Sequence, residues 1–121
     1  MARIFLDSGV LLEGGRGTGA RQEAALAVLE DPEQTFLTSP FVYLETVPKA
    51  SHYGRLKEVE FYEQYFARAE SLHDLSAIFE RGLDVIDRYG VGPMDALHVA
   101  AAELLNADAL SPRSSLALPV C

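Results

Sequence analysis

IFLDSGVLL, residues 4–12, is a strongly apolar run with a single carboxylate, Asp7, set inside it. Short, branched and aromatic up to Leu6 and then broken by Asp-Ser-Gly, it reads as a buried strand that ends in a turn. An ionised carboxylate in the middle of a buried strand costs several kcal/mol or more unless it is paired, coordinated or carried to the strand's end. Asp7 therefore belongs at the carboxyl end of the first strand, and the first element ends at Gly9.

Outward from this run, strands and helices alternate. Residues 13–19 (EGGRGTG) read as a flexible connection, and 20–29 as an Ala-rich helix that Asp31-Pro32 stops. Residues 35–38 (TFLT) make a second short strand. Ser39-Pro40 is a helix start, because the hydroxyl can accept from an orphan amide and a proline at the first helical position loses no bond. That helix carries Phe41, Leu44, Glu45 and Val47, and Pro48 inside it is expected to kink it or end its regular hydrogen bonding. From Gly54 the pattern LKEVEFYEQYFARA predicts an amphipathic helix whose aromatics belong to the core. Residues 70–73 make a short third strand, Ser76 reads as the cap of the next helix, and Tyr89-Gly90 ends it. Gly92-Pro93 then opens the most apolar helix, which Asn106 stops. Residues 107–121 supply one more short strand. This alternation predicts an α/β domain, a three-layer α/β/α arrangement with a mainly parallel central sheet of about four short strands. Functional groups of such a sheet gather at the carboxyl ends of its strands.

The bulk composition bounds the function. A chain of 121 residues, 49% hydrophobic, fits a single domain with a core of its own. A net charge of −8 repels phosphate at long range, so chemistry on nucleic acid requires a local basic track or metal cations. Arg3, Arg16, Arg21, Lys49, Arg55, Lys57 and Arg113 are the cations from which such a track can be drawn. The lone Cys121 excludes an internal disulfide framework and a zinc cluster, which with the short, interrupted N-terminal run predicts a cytoplasmic protein that does not span a membrane.

Three acids stand out. Asp7 ends the first strand, Glu45 lies on or beside an apolar helix face, and Asp95 falls in the first turn of the helix opened by Pro93. Converged near strand ends, three carboxylates make a hard, oxygen-rich site suited to Mg2+ or Mn2+. Each also has a purely structural reading: Asp7 as a turn cap accepting the amides of Gly9 or Val10, Glu45 as an i,i+4 partner of Lys49, Asp95 as a counter-charge to the helix dipole. His98 reads as a packed helix-face histidine and Ser8 as a turn hydroxyl; His52 and His73 have no metal-site spacing.

IFLDSGVLL, the SPFVYLETVPKA helix and YGVGPMDALHVAAAELLNADAL, in this order and over nearly the whole chain, resemble the PIN domain, the fold of many bacterial metal-dependent ribonucleases, toxins of toxin–antitoxin pairs included. The resemblance implies that Asp7, Glu45 and Asp95 are the first three acids of a catalytic site holding Mg2+ or Mn2+, that RNA is the substrate, and that an antitoxin or a second copy of the chain is a partner. The chain departs from the family's pattern at the C-terminus, where Ser114 stands in place of a fourth acid, Pro112 interrupts the strand, and Asp108 belongs to the preceding Ala-Asp pair. The alternative implied by that departure is a PIN-fold interaction module with weakened catalysis, acting through the aromatic-rich helix between Val59 and Phe66. An aspartyl-phosphate phosphatase requires a second Asp two residues after the first, and Gly9 occupies that position.

Overall fold

The computed structural model describes residues 2–111. Its elements run β1 (Ala2–Leu6), α1 (Ser8–Arg16), α2 (Gly19–Leu29), β2 (Gln34–Thr38), α3 (Pro40–His52), α4 (Leu56–Arg68), β3 (Glu70–Ser71), α5 (Leu75–Tyr89), α6 (Pro93–Leu104) and β4 (Ala109–Ser111). The four strands form one parallel sheet in the order β3-β2-β1-β4. Parallel neighbours need crossover helices, and two consecutive buried residues in β1 (Phe5, Leu6) and in β2 (Phe36, Leu37) show that both faces of the sheet are covered. This is the expected layered α/β fold. The chain starts at β1, steps outward to β2 and β3, and returns to place β4 on the other side of β1. That reversal makes the carboxyl end of β1 the switch point of the sheet, the place where open α/β folds leave a crevice. Asp7 is the next residue.

Several local expectations hold. Ser39 caps α3 by accepting from the Phe41 amide, Pro93 stands in the first turn of α6, and Gly90 ends α5 in the left-handed conformation at φ 67°. Asn106, at φ 56°, terminates α6 in the same way, as the short polar side chain of Asn permits. The aromatics of α4 are core, with Tyr62 and Tyr65 buried.

Three expectations are corrected. Residues 8–16 form a helix rather than a turn and a flexible connection. Asp7 caps it, and two of its three glycines serve close packing: a Cβ on Gly14 would lie 2.9 Å from Phe61 Cζ, and one on Gly15 2.9 Å from Tyr62 Cε1. Pro48 does not end α3, which runs on to His52. Pro48 and Leu44 four residues earlier both stand on the exposed side, where the carbonyl that loses its helical donor can face water. The cap of α5 is Asp74, accepting from the Ala77 amide at 3.1 Å, not Ser76. No described helix is long and apolar enough to cross a membrane.

Candidate active site at the carboxyl edge of the sheet

Asp7 is 9% exposed, and its Oδ1 accepts the amides of Gly9 (3.0 Å) and Val10 (3.4 Å). The capping role read from local sequence is thus real. It also holds the carboxylate at the positive end of α1, directly beyond β1.

Glu45 does not take Lys49 as its partner. From the second turn of α3 its Oε1 receives the Ser8 hydroxyl at 2.9 Å and lies 2.6 Å from Nε2 of His98. The His98 contact, then the Ser8 hydroxyl, lower the Glu45 pKa below the ordinary glutamate value against the opposing effect of burial, so Glu45 is a carboxylate at neutral pH. Its Oε2 accepts no hydrogen bond from the described residues. Asp95, partly buried, sits in the first turn of α6, three residues before His98 and therefore on the same side of that helix.

The helices that bear or follow the three acids are thus joined at Glu45. Glu45 is bonded to the neighbour of Asp7 in sequence and to the residue one turn from Asp95. Ser8 and His98, read from sequence as a turn hydroxyl and a packing histidine, join α1 and α6 to α3. No spacing rule links residues 8, 45 and 98; only the crossovers bring them together. His98 does pack, 3% exposed and against the Phe5 ring at 6.1 Å, so its packing and its polar contact coexist.

Among the described residues, no group of three or more His, Cys, Asp and Glu side chains is drawn close enough to constitute a metal nest. The donor set nevertheless suits a hard divalent cation. Its groups are carboxylate oxygens, and one of them, Glu45 Oε2, accepts no hydrogen bond from the described residues. Asp108 serves elsewhere: its Oδ2 accepts the Arg3 amide and its own amide donates to the Arg3 carbonyl, each at 2.7 Å, joining the start of β4 to β1. Ser114, Pro112 and Arg113 lie outside the described residues.

The expected cation track is largely dispersed. Arg3 stands at the start of β1, about 13 Å of strand from Asp7, and binds Glu70 and the Leu105 carbonyl. Arg16 pairs with Glu58 and Arg21 with Glu13, both at 3.8 Å. Arg55 lies over the Tyr53 ring.

The fold is similar to that of VapC20 of Mycobacterium tuberculosis, a sarcin-ricin loop cleaving toxin, with a TM-score of 0.76, 17% identity, and 93% of this chain and 91% of that chain covered. A toxin–antitoxin complex from Klebsiella pneumoniae contains a chain similar at a TM-score of 0.70 and 18% identity, covering 93% of this chain and 88% of that one. VapBC2 from Rickettsia felis, bound to a DNA fragment from its promoter, gives 0.64 and 15%, covering 87% and 83%. No curated protein matches the chain significantly in sequence. The sequence model of the PIN domain matches residues 4–112, and on that match over nearly the full length the chain belongs to the PIN domain family.

Proposed function

We propose that the protein is a divalent-metal-dependent endoribonuclease, the cytoplasmic toxin of a toxin–antitoxin pair. The observation that carries this reading is the hub at Glu45, through which Ser8 and His98 tie α3 to the segments bearing Asp7 and Asp95 at the switch point of the sheet. The likeness to solved toxins supports it at the level of the fold.

In this reading Asp7, Glu45 and Asp95 hold Mg2+ or Mn2+, directly or through water. The ion supplies Lewis-acid stabilisation of phosphoryl charge and a more acidic water for hydrolysis. The chain's own contribution is placement. Asp7 is fixed by two amides of α1 and Glu45 by two donors into one oxygen. Positive potential for an RNA phosphate arises locally at the ion, because the protein as a whole is acidic.

Asp7→Asn tests the proposal cleanly, since asparagine caps helices as well as aspartate does and α1 is retained. Cleavage of single-stranded RNA in the presence of Mn2+ is expected to disappear in this variant and in EDTA. Cleavage that persists unchanged in either refutes the reading.

A protein partner is favoured by a separate observation. Leu75, Phe79, Leu83, Ile86 and Tyr89 are all exposed along α5, beside the residues of the same helix that pack inward, Ile78, Gly82 and Val85. An apolar stripe four turns long fits an interface with a second copy of the chain or with an antitoxin. It also moves the interaction surface away from α4, whose aromatics are core. Leu83→Glu is expected to reduce the molecular mass in solution of a self-associating chain; an unchanged assembly, alone and with antitoxin, excludes this face.

A further inference from the structure

Glu45 is held by two donors, and the more buried of them has an unusual surrounding. His98 places Nε2 2.6 Å from Glu45 Oε1, while its Nδ1 is buried with no hydrogen-bond partner. A carboxylate only accepts, so Nε2 carries a proton.

Resting on the nuclease reading above, we propose that His98 is a positioning residue that donates from Nε2 to Glu45 Oε1. Together with Ser8 it pins Glu45 through Oε1 and so reserves Oε2 for the divalent cation. Two donors converging on one carboxylate oxygen fix both the side-chain torsion and which oxygen remains available. Partners behind a metal ligand do this in metal sites generally. The same contact fastens α6 to α3, so the placement of Asp95 relative to Glu45 depends on it. His98 in this role neither touches RNA nor transfers a proton.

The test exploits geometry. A glutamine amide reaches about where Nε2 of histidine lies, and an asparagine amide about where Nδ1 lies. His98→Gln therefore restores the donor to Glu45, while His98→Asn aims its amide at the side where the histidine has no partner. Mn2+ titration by calorimetry, with thermal unfolding as a control for folding, is expected to leave His98→Gln within about threefold of the unaltered protein and to weaken His98→Asn by about 10- to 100-fold. Equal Mn2+ affinity in the two variants overturns the proposal. Mn2+ binding with the Gln/Asn difference but without RNA cleavage would overturn the nuclease reading and leave the role of His98 standing. If the unaltered protein binds no Mn2+, the nuclease reading and the role of His98 toward a cation fall together.

Discussion

Replacing Glu45 with glutamine separates the site's chemistry from the fold. Glu45→Gln keeps shape and volume, and the two donors decide its orientation: Ser8 and His98 both give protons, so the amide oxygen must occupy the Oε1 position and the NH2 group the Oε2 position. The reverse orientation would set donors against donors. Two charge-assisted bonds then become neutral ones, a loss of about 1 kcal/mol each. The partly buried charge no longer has to be desolvated, which offsets part of that loss. A net destabilisation of about 1 kcal/mol remains, equivalent to about 4 °C for a chain of 121 residues. At the Oε2 position an NH2 group cannot ligate a cation, so Mn2+ affinity is expected to fall about 100-fold or more. Circular dichroism melts and Mn2+ calorimetry on the same preparation give both numbers. Unchanged Mn2+ affinity would refute the assignment of Oε2 as a ligand, and a fall of more than about 8 °C would mean that the hub is principally structural.

The same pair of proteins reads out pH. Because the folded-state pKa of Glu45 lies below its unfolded value, its contribution is fully present above about 4.5 and is lost as pH falls through the folded value. The melting-temperature difference between the unaltered protein and Glu45→Gln should therefore close on acidification below pH 4.5, and a difference that stays constant down to pH 3 contradicts the linkage. Gly15→Ala adds about 1 kcal/mol of helix propensity but sets a methyl group 2.9–3.0 Å from the buried Tyr62 ring, whose hydroxyl is held by Glu58 at 2.7 Å. Overpacking of about 1–3 kcal/mol is expected to prevail and lower the melting temperature, and a stabilised variant would show that α1 and α4 can part. Tyr62→Phe leaves the buried Glu58 carboxylate without its donor and is expected to cost about 1–2 kcal/mol; a double-mutant cycle with Glu58→Gln that shows no coupling would assign the loss to something else.

Much of the architecture was legible because it is local. Apolar runs of strand length, Ser39-Pro40, Gly92-Pro93 and Gly90 each act within a few residues, and together they specify parallel α/β order and the position of Asp7 beyond β1. The reading failed where a tertiary contact overrode local propensity. EGGRG resembles a loop until Phe61 and Tyr62 are seen pressed against Gly14 and Gly15, and Lys49 is the natural partner of Glu45 until α1 and α6 bring better donors. Likewise the apolar pattern of α5 predicts a buried face but not that half of it stays uncovered, since only the path of the chain determines how much of a helix its neighbours reach.

For the site, the sequence by itself determined the three acids and their likeness to a family: Asp7, Glu45 and Asp95 stand out by residue type and by their positions beside strand and helix ends. Only the tertiary structure decided how Glu45 is held. Its partners come from 37 residues before it and 53 after it, a separation no periodicity spans. Hydrogen bonds of that range form once the sheet has ordered its strands around β1, and both donors they supply converge on Oε1 of Glu45.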